Sequence, residues 1–390
     1  MSFMFDSKTD RYNTGCVKYD AAVSHHKNSD ILPMWVADMD FAAPKEVLTA
    51  LQQKVSHGIF GYPIETPSYY QAVSRWFSEN FGWENDTEWI VPIPGVVYAI
   101  ACAIRAYTKE QDSVLILQPV YHPFANTTKA NNRKLVISNL VNTDGRYTVD
   151  YEDFEKKIVE NNVKLFILCS PHNPVGRVWE KEELQKMGEI CIRHGVIVVS
   201  DEIHADFVYA GHQHTIFASI SEDFAQNCIV CTAPTKTFNL AGLEDSNIFI
   251  PNPVLREKFR KALSVSGGGM LNIMGLTAAE AAYTYGKPWK NVLLDYLQGN
   301  IDYLHDALQQ LNMGIQFAKP EGTYLLWLDC RGMGLSNEEI HRFWNEKANI
   351  WLNEGDMFGK AGEGFMRLNI ACQRSTVEEA VRRLEKAKSL

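Results

Sequence analysis

The sequence predicts an α/β protein in which a large domain surrounds a mostly parallel sheet and a smaller α+β domain lies beside it. Two observations carry this prediction. From about residue 113 to 250, short β-rich runs alternate with helical patterns, the rhythm of βαβ units under helical cover. After residue 285 the pattern changes to long amphipathic helices with one strand-like run among them. The chain has 390 residues, 46% of them hydrophobic, enough to bury a core of this size.

Taken in order, "PIPGVVYAIACAIRAY" places Gly95 at the start of an apolar helix, so the first free amides are those of Val96 and Val97. Six runs then read as strands: "SVLILQP", "KLVIS", "VKLFILCSP", "GVIVVSDEIH", "NCIVCTAP" and "SNIFIPN". Between the third and fourth, "KEELQKMGEICIRHG" sets Leu184, Met187, Ile190 and Cys191 on one helical face, with Gly195 at the expected stop. The later part reads as the helix "PWKNVLLDYLQGNIDYLHDALQQL", the strand "TYLLWLD", and the helices "NEEIHRFWNEKA" and "TVEEAVRRLEKAKS". Neither internal repeats nor low-complexity segments are visible.

Composition narrows the function classes. Acidic residues outnumber basic ones, 47 to 38, and no long run of like charge suggests a nucleic-acid surface. The amino terminus "MSFMFDSKTDRYNTG" lacks a basic segment followed by an apolar stretch, and no segment has the length and apolarity of a membrane span. Neither nucleic acid nor membrane is an expected partner, and the cytoplasm is the expected location. Eight scattered cysteines suit a reducing compartment. Cys228 and Cys231 spell C-x-x-C, but an odd offset on a strand points them to opposite faces, against a metal or redox pair.

In open α/β sheets ligands lie beyond the carboxyl ends of the strands. Three polar residues are expected there: Asn173 after "LFILCSP", Asp201 after "VIVVS" and Lys236 after "CIVCTAP". A lysine desolvated at a strand end has a lowered pKa and can hold an aldehyde cofactor as a Schiff base. The cation that suits Asp201 in such a site is the protonated pyridine nitrogen of pyridoxal phosphate. Asn173 is of the type that bonds the phenolic oxygen of that ring, and Tyr121 in "QPVYHPF" is placed to lie on its face. The helix start at Gly95, Val96 and Val97 offers a phosphate cradle, to which Thr235 and Thr232 could add hydroxyls. Each residue alone has a plainer use: a solvated turn lysine, a helix-capping aspartate, a turn asparagine, a core tyrosine. Their succession at neighbouring strand ends favours one shared site.

These motifs resemble those of fold-type I pyridoxal-phosphate enzymes of the class I/II aminotransferase superfamily, and within it the cystathionine β-lyase, or carbon-sulfur β-lyase, branch of the MalY/PatB type. The likeness runs through "LPMWVADMDFAAP", "GIFGYP", "PGVVYAI", "PVYHPF", "LCSPHNPVGRVW", "SDEIHADFV", "APTKTFNLAGL", "PEGTYLLWLD" and "GFMRLNIACQR", almost the whole chain. It implies that Lys236 is the Schiff-base lysine, that Asp201, Asn173 and Tyr121 hold the ring, and that Arg367 grips the substrate carboxylate. By its own residue pattern Arg367 reads only as a strand arginine. The resemblance also implies that Tyr62 reaches the cofactor phosphate of a neighbouring subunit, in a homodimer with shared sites. His204 stands where many aminotransferases carry a tyrosine, either near the phenolic oxygen or as a hydrogen-bonding residue behind it.

The expected division is a large cofactor-binding domain over 46–285 and a small domain formed by 1–45 and 286–390. The expected reaction is β-elimination from an S-substituted L-cysteine such as L-cystathionine, giving a thiol, pyruvate and ammonia. An aminotransferase acting on an L-amino acid and a 2-oxo acid is the first alternative; a pyridoxal-phosphate-binding regulatory protein without turnover is the second. Three positions depart from the pattern: Glu244, where many aminotransferases place a phosphate-holding arginine, Asn247 for a frequent tyrosine, and Gln373 for a frequent proline. Gly267 to Gly269 lack the residues that complete a P-loop and read as a flexible segment. His212 and His214 read as a solvated loop rather than a metal site.

Overall fold

The computed structural model describes residues 5–268 and 270–389. Its centre is a seven-stranded sheet whose strands we number in chain order: β1 (Ile90–Ile93), β2 (Ser113–Gln118), β3 (Lys134–Asn139), β4 (Val163–Cys169), β5 (Ile197–Asp201), β6 (Cys228–Thr232) and β7 (Ser246–Phe249). Their order across the sheet is β1-β7-β6-β5-β4-β2-β3. Strands β3, β2, β4, β5 and β6 are parallel neighbours, while β7 runs antiparallel to both β6 and β1. The reversed direction of β7 and the short, proline-containing β1 are the two features of this sheet not predicted above.

The apolar runs become strands because both faces of the sheet are covered, so successive side chains can both be buried. Leu115, Leu117, Phe166, Leu168, Val198 and Val230 pack on one side. Their neighbours Val114, Ile116, Leu165, Ile167, Val199 and Ile229 pack on the other. This period of two also separates Cys228 from Cys231, which lie in opposite layers, and all eight cysteines are free. The helix predicted between β4 and β5 spans Lys181–Arg193, buries Leu184, Met187, Ile190 and Cys191, and is followed by Gly195 at φ +65°.

A second sheet of three strands follows: β8 (Leu325–Asp329), β9 (Asn353–Glu354) and β10 (Phe365–Asn369), with β10 central and antiparallel to both neighbours. Helices Lys287–Leu311 and Arg374–Lys388 pack against each other, and Asn300 of the first donates to the Ile370 and Cys372 carbonyls just after β10. Leu32–Pro33 joins this region by pairing in parallel with Ile350–Trp351. The helix predicted over 337–348 is α-helical through Arg342 and widens into a π turn at Phe343–Lys347, where Phe343 and Trp344 are both buried. Of the predicted glycine segment, Gly269 lies outside the described residues. Among the described residues, no helix is long and apolar enough to cross a membrane.

From β2 the chain steps outward to β3, then returns and builds β4, β5 and β6 in the other direction. The switch point of this topology therefore lies between β2 and β4, where a ligand crevice opens at the carboxyl ends.

Candidate active site

The predicted residues meet at that crevice. Tyr121 follows β2 and Asn173 follows β4, and the Tyr121 amide donates to the Asn173 carbonyl at 3.0 Å across the switch point. Asp201 ends β5, and Lys236 sits in the short turn of helix Pro234–Thr237 after β6. These four line one cleft of about 760 Å³. His204, Thr235, Gly95, Val96 and Val97 line it too, as does Arg367, delivered from β10 of the second sheet. Tyr62 does not: its side chain is 93% exposed, on a loop with exposed Ile59, Phe60 and Ile64.

Lys236 donates from Nζ to the Ala37 carbonyl at 2.5 Å, an oxygen that also accepts from the Tyr324 hydroxyl at 3.0 Å. Burial, reinforced by the positive charge of Arg367, pulls its pKa down to about 8. A sizeable fraction of the amine is then neutral and nucleophilic near physiological pH.

Arg367 is 4% exposed, and no carboxylate among the described residues lies within ion-pair distance of it. Its guanidinium donates to Asn173 Oδ1 at 3.1 Å, to the Trp35 carbonyl at 2.9 Å and to Asn353 Oδ1, and lies 4.9 Å from the Phe358 ring centroid. Nε has no partner. Burial lowers the pKa to about 10, so the charge is held at a cost. A buried guanidinium held by neutral oxygens is a receptor for an anion, and its planar fork matches a carboxylate.

Asp201 presents the reverse case. It is 4% exposed, accepts from the Ile203 amide at 3.2 Å, and has no cation at ion-pair distance among the described residues. Burial pushes its pKa up to about 7 from 3.8. In the cofactor-free protein this carboxyl stabilises the fold fully below its unfolded pKa, and the contribution is lost as pH rises through about 7. Cofactor-free Asp201→Asn should therefore melt several degrees above the parent at about pH 8, with the gap narrowing below about pH 6. Equal melting temperatures across that range, followed by circular dichroism, would show that Asp201 is not a strained acid.

His204 is buried, and burial together with the charges of Lys236 and Arg367 lowers its pKa to about 3, so the ring is neutral. Its Nδ1 has no partner among the described residues. At the far end, Gly95 caps helix Val96–Tyr107 with φ +89°, a conformation that suits glycine, and leaves the first amides of the helix at the cleft. Ser246 Oγ is buried, has no partner among the described residues, and lines the same cleft.

Two expectations are corrected. Thr232 is no part of the cradle: its hydroxyl donates to the Asn247 carbonyl at 2.7 Å, inside the sheet. His214 is not solvated, although His212 is. It is buried with Nε2 2.7 Å from Glu202 Oε2, and Glu202 also accepts from Ser200 Oγ at 2.8 Å and the Phe217 amide at 3.0 Å. Glu202 alternates with Asp201 across the sheet end, and a buried carboxylate there requires these donors.

Sequence reasoning missed the segment Trp35–Asp40, which straps across the site. Its carbonyls are taken in turn: Trp35 by Arg367, Val36 and Asp38 by Asn369 Nδ2 at 2.6 Å, Ala37 by Lys236, and Met39 by Asn239 at 2.9 Å. Asp40 is locked by the buried Lys18 at 3.0 Å and by Arg11 at 2.7 Å. Gln373, one of the departures, donates to the Asp40 carbonyl at 2.7 Å, a bond that proline could not make. Asn247, another, is buried and accepts from the Tyr69 hydroxyl at 2.7 Å. Of the missed residues, Asn353 and Ser246 carried no sequence signal; the strap had one, in the quoted "WVADMD".

Pyridoxal phosphate fits what is present. The partly neutral Lys236 suits its carbonyl, Asp201, with no cation beside it among the described residues, its pyridinium, and the helix-start amides with the orphaned Ser246 hydroxyl its phosphate. Fold and site together define a fold-type I pyridoxal-phosphate enzyme. The chain belongs to the class I and II aminotransferase family, whose model matches residues 29–384. It is 43% identical to cystathionine β-lyase PatB of Bacillus subtilis, over 99% of this chain and 100% of that one. It is 32% identical to protein MalY of Escherichia coli, over 97% of each. The crystal structure of cystalysin from Treponema denticola, which contains pyridoxal 5'-phosphate, superposes with a TM-score of 0.97 at 37% identity, covering 99% of both chains.

Proposed function

We propose that this protein catalyses pyridoxal-phosphate-dependent β-elimination from S-substituted L-cysteines such as L-cystathionine, giving a thiol, pyruvate and ammonia. The observation that carries this reading is the meeting of Lys236 and the anion-seeking Arg367 in one cleft, in a chain whose relatives include named cystathionine β-lyases.

When bound, pyridoxal phosphate supplies the electron sink for the pair left when the α-proton departs. The protein's residues do the rest. Arg367 takes the substrate carboxylate bidentately, fixing the orientation of the Cα substituents. Lys236 Nζ, neutral in part because of that same arginine, accepts the α-proton. Asp201 would hold the protonated ring nitrogen, Asn173 would donate to the phenolic oxygen, and Tyr121 would cover the ring face. His204 stays neutral beside them and adds no charge. The amides of Val96 and Val97, with the hydroxyls of Thr235 and Ser246, would hold the phosphate.

Tyr62 completes the same cradle from the partner subunit in this reading. Its exposure, together with that of Ile59, Phe60 and Ile64 on the same loop, supports a homodimer built over that loop. Sedimentation should show a dimer, and Tyr62→Phe should lose cofactor several-fold faster on dialysis; a monomer with unchanged retention would remove this part of the account.

The fate of the amino group separates this reaction from transamination. With L-cystathionine and no 2-oxo acid, free ammonia should accumulate through many turnovers. If turnover requires an added 2-oxo acid and the amino group appears on it, the protein is an aminotransferase. Cofactor binding without turnover in either assay would make it a binding protein.

A further inference from the structure

Glu244 stands eight residues after Lys236 and lines the same cleft, beside Ser246 and the turn that carries Ala241. It is exposed, and its carboxylate has no hydrogen-bond or ion-pair partner among the described residues. Its backbone is left-handed, at φ +54°, where glycine or asparagine would be less strained. This position therefore presents a negative charge where the local geometry gives no reason for one.

The cleft's charges make the consequence specific. Its lysine and arginine are Lys236 and Arg367, the first assigned to the cofactor carbonyl and the second to the substrate carboxylate. Among the described residues, the end formed by Gly95, Val96, Thr235 and Ser246 holds no cationic side chain, only amides and hydroxyls. A phosphate seated there meets helix-end partial charges of about half an elementary charge and shares its cleft with the negative charge of Glu244. The histidines of the cleft, His122 and His204, both have lowered pKa values through burial and offer little compensation.

We infer that Glu244 weakens the hold on the cofactor's phosphate, so that this chain exchanges its cofactor more readily than it would with a neutral residue at this position. The inference rests on the cofactor placement given under the proposed function. It concerns phosphate affinity alone, not the chemistry at Lys236.

The test compares pyridoxal phosphate with pyridoxal, which lacks the phosphate. Dissociation constants for both are measured by titrating the full-length cofactor-free protein and following the Schiff-base absorbance, for the parent, Glu244→Gln and Ser246→Ala. Glu244→Gln is expected to bind pyridoxal phosphate about tenfold more tightly and pyridoxal unchanged. Equal affinity for pyridoxal phosphate in parent and Glu244→Gln overturns the inference. Looser binding in Glu244→Gln overturns it too, because Glu244 would then be paired with a cation, such as one from a partner subunit. Ser246→Ala reports on the cradle separately: selective loss of phosphate affinity there, with Glu244→Gln silent, rejects the role of Glu244 and leaves the cofactor placement standing.

Discussion

Lys236→Ala is expected to reduce turnover of L-cystathionine to background, a loss of at least about ten-thousandfold, and to abolish the Schiff-base absorption band. Among the described residues Lys236 is the one lysine lining the cleft, and the proposed function gives it two roles: holding the cofactor carbonyl and accepting the α-proton. Among the described residues no other lysine lines the cleft to substitute, and His204 is too weak a base, its pKa lying at about 3. The variant should remain folded. Removing this half-buried ammonium abolishes the desolvation that holds its pKa near 8, and the Ala37 carbonyl keeps its bond from Tyr324. Pyridoxal phosphate should still bind, non-covalently, through the phosphate cradle and Asp201. Turnover within about tenfold of the parent would refute both roles.

Arg367→Lys is expected to lower kcat/KM by about a hundredfold or more, with much of the loss in KM. Lysine keeps the charge but cannot reproduce the fork, and it abandons at least two of the three oxygens now held on Asn173, Trp35 and Asn353. Those bonds link the large sheet, the small sheet and the amino-terminal strap, so the substitution also loosens the wall of the cleft. Arg367→Ala should go further and raise the pKa of Lys236 above about 8, since Arg367 is the main charge depressing it. Pyridoxal labelling of the cofactor-free protein would then shift to higher pH. An Arg367→Lys enzyme with unchanged KM would remove Arg367 from the carboxylate site.

How much of this was legible in the sequence depends on how local its cause is. The six strands were visible because each is an uninterrupted apolar run, and Asn173, Asp201 and Lys236 because a polar residue directly after such a run stands at a strand end. The direction of β7 was not visible, since an apolar run carries no information about the sense of its pairing. Arg367 needed the family resemblance: its significance lies in contacts with Asn173 and Trp35, 194 and 332 residues away in sequence. His214 was misread for the same reason, because an H-x-H spacing cannot reveal that one ring is buried against Glu202. Ser246 became meaningful only when its hydroxyl proved to be buried, unpartnered and facing the cleft.

The most direct measurement is a time course of purified, pyridoxal-phosphate-loaded protein with L-cystathionine, quantifying pyruvate and free thiol together. The account predicts equal amounts of both, rising together to many times the enzyme concentration without any added 2-oxo acid. Absence of both products, or a keto acid formed from cystathionine with its carbon-sulfur bond intact, would contradict it.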